Sequence, residues 1–249
     1  MTVELKRVPS SLSACMKAPK NMMKRSAQAG FTLIELLVVI SVIAILAGLL
    51  VGLAPQATAR IRESRTRSEL QKLITGIEAY KARFGVYPPD HVIGRSADGM
   101  PVVDPVINPL FYELTGVMVV RQGSEGYFVP VGDQDRADVR LTPNQLETVF
   151  ARDGFVNAQL TNGVRRLFRM DFKDSQHAEI SQNPDIEVLV APVPWPPPNS
   201  GFPAPIPSRP RLNPWRYNSS NPVHNPGSYD LWAEIIVRGR KEIIGNWRN

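Results

Sequence analysis

Cysteine is almost missing from this chain. Its 249 residues hold one, Cys15, so no intramolecular disulfide can form and the fold must rest on a packed core. No thiol chemistry is open to any residue beyond 30. Histidine is nearly as scarce: His91, His177 and His224 lie far apart and lack metal-ligand spacing. No glycine-rich phosphate loop and no nucleophile elbow occurs. Asp133, Asp135 and Asp138 cluster in a predicted loop, where a solvated turn is a simpler reading than a cation site. These shortages predict no catalytic residue, no metal and no cofactor. A catalytic constellation assembled from distant residues stays open as the different-class alternative, a signal-anchored periplasmic enzyme.

Charge is unevenly spread. The net charge is +6, yet residues 1–30 hold Lys6, Arg7, Lys17, Lys20, Lys24 and Arg25 against Glu4 alone, so the remainder is nearly neutral. A nucleic-acid partner would call for basic side chains on the body of the protein, and none is expected. The basic segment works better as a topology signal beside a membrane.

Only one long apolar run is present, from Phe31 to Leu53. At roughly 1.5 Å per residue, such a helix matches the hydrocarbon thickness of a bilayer. Lys24 and Arg25 precede it, which places residues 1–30 in the cytoplasm and the rest of the chain across the membrane. A single carboxylate, Glu35, sits one turn inside. A charge in hydrocarbon is costly and is rarely found there without a partner. Gly48 and Gly52 form a small-xxx-small pair that permits close helix packing. Pro55 follows the run and is expected to loosen the helix.

The junction Gly30-Phe31-Thr32-Leu33-Ile34-Glu35-Leu36 resembles the cleavage and methylation signature of type IV pilins and type II secretion pseudopilins. The resemblance implies removal of residues 1–30 by a prepilin peptidase, cutting between Gly30 and Phe31, and N-methylation of Phe31. It also implies a role for Glu35 in assembly, pairing with the new amine of Phe31 on a neighbouring subunit. Met22 or Met23 are alternative starts that give a leader of more familiar length. The implied product is a single-pass protein of the bacterial inner membrane with its C-terminal domain in the periplasm. Its implied partners are copies of itself in a helical filament, the peptidase, an inner-membrane assembly platform and minor pseudopilins.

Beyond the run, Leu70, Leu73, Ile74, Ile77, Tyr80 and Phe84 recur at three- and four-residue spacing, so 54–85 is predicted to be an amphipathic helix continuing the first. Glu63 and Arg67 are spaced to pair. Gly85 and Pro88-Pro89 are expected to end the helix. The fold class that follows is α+β: a long N-terminal helix, membrane-spanning in its first half, packed on a small antiparallel β-sheet domain as in pilins. Residues 86–249 form the globular part. Within it, Asn108 to Thr115 and a helix opened by Thr142-Pro143 and closed by Gly154 are predicted helical. Arg165 to Phe172 and Asp185 to Val190 are predicted strands. Residues 192–214 hold 10 prolines and are predicted to be an extended, unpacked loop. Tyr229 to Val237 and Lys241 to Trp247 are predicted to pair across an Arg238-Gly239-Arg240 turn.

Asn213 to Tyr217 and Tyr229 to Trp232 resemble the C-terminal region of the major pseudopilin of type II secretion. A calcium loop commonly follows such a strand in that family. Here the place is taken by Arg238-Gly239-Arg240-Lys241, whose cations repel calcium, and no calcium site is expected there. The type IV pilus subunit and the minor pilin stay open as alternatives.

Overall fold

The structure is a computed structural model that describes residues 30–247, apart from 123–124, 134–135, 137, 161–166 and 182–184; the side chains of 49–56, 122, 125 and 160 also lie outside the described residues. The chain divides into two compact units, Met1–Leu50 and Val51–Asn249. The predicted leader lies outside the described residues up to Gly30.

The described part of the first unit is the beginning of helix α1, Leu33–Phe84. From Leu33 to Leu46 the large apolar side chains are exposed, Leu33 to 84% and Ile40 to 54%. Among the described residues no helix is long and apolar enough to cross a membrane. The described side chains of the apolar run stop at Gly48, short of the predicted 31–53 span, and Gly52 and Pro55 fall beyond them. The helical assignment runs on through Pro55.

In the second unit the rest of α1 carries the predicted stripe. Leu70, Leu73, Ile77 and Tyr80 are 0–4% exposed, with Ile74 and Phe84 partly buried beside them. Glu63 and Arg67 pair at 2.9 Å on the exposed face. The helix ends as predicted: Gly85, at φ +80°, donates its N–H to Lys81 O. Met170 packs on Gly76, where an added Cβ would lie 2.5 Å from Met170 Sδ and would push that side chain aside.

Among the described residues, ten short strands form four small sheets. β1 (Val92–Arg95) pairs antiparallel with β2 (Pro101–Val103). Helix α2 (Leu110–Thr115) then leads into β3 (Val117–Gln122), β4 (Glu125–Pro130), helix α3 (Pro143–Phe150) and β5 (Ala158–Leu160). This sheet has the order β4-β3-β5; its β3–β4 pair is antiparallel, as in the other small sheets, and its β3–β5 pair is parallel. β6 (His177–Ser181) and β7 (Ile186–Leu189) form a third sheet. β8 (Arg216–Asn218), β9 (Asp230–Val237) and β10 (Arg240–Gly245) form an antiparallel meander, including the predicted C-terminal hairpin. One buried cluster unites α1, α2 and the β3, β7 and β9 sheets through Ile77, Leu110, Val117, Val188, Tyr217 and Leu231.

Three local expectations are corrected. Helix α3 opens on Thr142 with a capping box to Gln145, but it closes on Ala151 in the left-handed region (φ 51°), not at Gly154. Residues 167–172 form no strand. Their main chain is satisfied elsewhere: Phe168 N–H donates to Asn157 Oδ1 (3.0 Å), Asn157 Nδ2 donates to Phe168 O (2.8 Å), and Met170 N–H donates to Leu114 O (2.9 Å). An amide side chain thus takes the place of a neighbouring strand, and Gly116 (φ +87°) makes room, since an added Cβ would sit 2.9 Å from Phe168 O. The proline-rich segment 192–214 is packed after all. Val193 and Ile206 are buried in the main cluster, Trp195 is buried as well, and Asn213 Nδ2 donates to Val193 O and Glu234 O. A short 3-10 turn, Pro198–Ser200, and two turns closed by Arg209 N–H to Ile206 O and Leu212 N–H to Arg209 O interrupt its extended course.

Candidate functional site

Gly30, Phe31 and Thr32 are non-helical and exposed, and α1 begins at Leu33. Thr32 is the cap. Its N–H and its hydroxyl both donate to Glu35 Oε2 at 2.8 Å, Glu35 N–H donates back to Thr32 Oγ1 at 3.3 Å, and Leu36 N–H bonds Thr32 O. This is a reciprocal capping box, which satisfies N–H groups that an α-helix leaves open at its start. The Thr-x-x-Glu spacing was visible in the sequence, where the unusual position of the carboxylate drew attention away from it.

The geometry has two consequences. The Gly30–Phe31 peptide lies outside the helix, Phe31 is 84% exposed, and among the described residues none beyond the chain neighbours comes within 4 Å of a Cβ placed on Gly30. Cutting that bond breaks no helical hydrogen bond. Glu35, in turn, already serves its own chain. Both described bonds from Thr32 fall on one oxygen, and a carboxylate has about four acceptor sites, so capacity remains for an amine from outside. Among the described residues nothing lies within 4 Å of a Cβ placed on Gly48, and Gly52 falls in the stretch whose side chains are not described.

The remaining polar candidates separate. Asp133 and Asp138 gather with Asp185 around Arg136, at 3.9, 2.7 and 3.5 Å, while Asp135 lies outside the described residues. The three histidines go to three places: His91 Nδ1 to Ile107 O, His177 beside Glu187, and His224 to Asp230. Among the described residues no group of three or more His, Cys, Asp or Glu is arranged for a metal. At the predicted turn, Arg238 takes φ 53° and Lys241 reaches Glu234.

Sequence reasoning passed over the buried carboxylates. Glu113 on α2 is fully buried and accepts from Tyr80 OH (2.7 Å), Val156 N–H (3.0 Å) and Asn157 N–H (2.9 Å). Burial pushes its pKa above the ordinary value, against the pull of those three donors. Asp90 and Asp230 organise the loop before β9. Asp90 takes the N–H groups of Ser219 and Ser220, and Asp230 takes those of Val223, His224 and Asn225. Nothing local in the sequence marks these three among 23 acidic residues.

Residues 25–51 match a known family description, the prokaryotic N-terminal methylation motif. The chain carries a type IV pilin-like prepilin signal. The match supports the pilin and pseudopilin family broadly, and proteins with this signal are structural. It also points to a membrane-anchored protein of the cell envelope. No curated protein and no solved structure matches the chain.

Proposed function

We propose that this prepilin is a structural subunit of a type II secretion pseudopilus. It is cut after Gly30, N-methylated on Phe31, held in the inner membrane by residues 31–53, and assembled through its N-terminal helix with the C-terminal domain in the periplasm. The observation that carries this reading is the methylation motif, set on a junction whose scissile peptide is exposed and non-helical. The exposed apolar face from Leu33 to Leu46 fits the same reading, since lipid or neighbouring helices are the surroundings it calls for. The type II assignment over a type IV pilus rests on the resemblance of 213–217 and 229–232 to the major pseudopilin. The cations at 238–241 and the packed proline-rich segment depart from that subunit, which keeps a minor pilin as the second reading.

Mass spectrometry of the native membrane fraction tests the processing step. The expected N-terminus is N-methylated Phe31, and Gly30→Leu is expected to leave the leader attached. Recovery of a wild-type monomer that retains residues 1–30 overturns the proposal. Deletion of the gene is then expected to block secretion of folded exoproteins; loss of surface pili with secretion intact favours the type IV reading.

A further inference from the structure

No charged side chain occurs between Glu35 and Arg60; residues 36–59 are apolar, small or neutral polar. The charges then arrive together. Arg60, Arg62, Arg65 and Arg67 fall within residues 57–67, against Glu63 alone. A helix of about 20 uncharged residues is what the hydrocarbon of a bilayer accommodates. Arg60 is therefore the first side chain able to mark the far border of the membrane segment. Long cationic side chains at such a border lay their stems on apolar surface and put their heads among the headgroups.

In the second unit α1 carries these arginines on a neck. No side chain from 57 to 65 is buried, and Thr66 is the first that is. Arg60, Arg62 and Arg65 are exposed and have no ion-pair or hydrogen-bond partner among the described residues, whereas Arg67 is held by Glu63 at 2.9 Å. At about 100° per residue, Arg62 and Arg65 lie on the side of the helix opposite Arg60. A solvated face would stand opposite a buried stripe, as Gln71, Thr75 and Glu78 do opposite Leu70, Leu73 and Ile77. The neck has no such stripe, and its cations point both ways. That arrangement suits a layer that surrounds the helix better than a partner docked on one face. The charge selects the layer. A guanidinium pairs well with phosphate, and an anionic headgroup, unlike a zwitterionic one, brings no cation of its own to compete.

We propose that Arg60, Arg62 and Arg65 form a collar that binds anionic phospholipid headgroups where the membrane segment ends. The collar rests on the reading that holds residues 31–53 in the membrane. It fixes the depth of the helix and gathers anionic lipid around it. Arg67, already paired within its own helix, takes little part.

The test reconstitutes the full-length protein into vesicles of equal phosphatidylglycerol and phosphatidylcholine, recovers it in non-ionic detergent, and counts the lipids that stay with it by mass spectrometry. Wild type is expected to retain phosphatidylglycerol over phosphatidylcholine by roughly fivefold. Arg60→Gln, Arg62→Gln and Arg65→Gln together are expected to remove most of that preference, and lysine at the same three positions to keep it. Arg67→Gln is expected to change it by less than about twofold. The cations of the leader are common to every variant, so the difference belongs to the collar. No preference in wild type, or a preference unchanged in the glutamine triple variant, overturns the proposal. A glutamine triple variant that keeps its lipid but no longer cross-links to neighbouring copies also overturns it and gives the arginines to a protein contact. Alkaline extraction of the vesicles separates the two ways of failing. Release of the protein overturns the membrane reading and the collar together, and retention without a lipid preference overturns the collar alone.

Discussion

Helix α1 treats its apolar residues in two ways. From Leu33 to Leu46 they are exposed around the helix, and from Leu70 to Tyr80 a single stripe is sealed by the protein's own core. The two stretches use the same kinds of side chain. What separates them is the company of polar residues. The second stretch interleaves Glu69, Gln71, Lys72, Glu78 and Lys81 with its apolar positions, so one face turns to water and one to the core. The first has little besides Thr32, Glu35 and Ser41, and Ser41 spends its hydroxyl on Leu37 O. A helix apolar on all sides must be covered from outside its chain, by lipid or by other helices. One stretch therefore builds the fold, and the other suits assembly.

The sharpest test of this contrast is Glu35→Gln. Glutamine can still cap the helix through Thr32, as the glutamate does, but it cannot neutralise an amine. Cleavage and membrane insertion are expected to persist while filament yield falls to near zero, scored by shearing and immunoblot. Wild-type yield shows that Glu35 serves only its own helix. In the second stretch, Ile77→Ala removes a fully buried side chain and is expected to cost about 3–4 kcal/mol in chemical denaturation of the detergent-solubilised protein.

Glu113→Ala comes next, at about 2–3 kcal/mol, because it strands the Tyr80 hydroxyl and two buried N–H groups. The sign of its pH dependence is unusual for a carboxylate. Its folded pKa is raised above 4.5, so its stabilising effect is complete below that value and is lost as pH climbs through the folded pKa. Glu113→Gln is expected to flatten that slope in a pH series of denaturation midpoints. Thr142→Ala removes the cap of α3 and is expected to cost about 1 kcal/mol. Least of all, Leu37→Ala is expected to change denaturation by less than about 0.5 kcal/mol, since that side chain is 52% exposed. A loss comparable to Ile77→Ala would dissolve the distinction between the two stretches.

Much of the frame was legible in the sequence. The α1 stripe, the Thr142-Pro143 helix start and the C-terminal hairpin all follow from spacing within a few residues. The prepilin-type motif was visible for the same reason. What escaped depended on contacts distant along the chain. Residues 167–172 have a strand-like composition, yet Asn157 and Leu114 take their hydrogen bonds. Proline content marks 192–214 as extended but does not say that Trp195 and Ile206 will find a core. Nor does composition single out Glu113 or Glu187 among the acids.

The sequence by itself determined the helical and hairpin elements and the prepilin-type motif at the N-terminus, because periodicity, caps, turns and short motifs act over neighbouring residues. Tertiary structure alone decided the parallel β3–β5 pair, the burial of the proline-rich segment and the seating of Glu113 among its three donors. Those depend on which distant groups meet once water is excluded, and the value of a polar atom then rests on whether a partner is there.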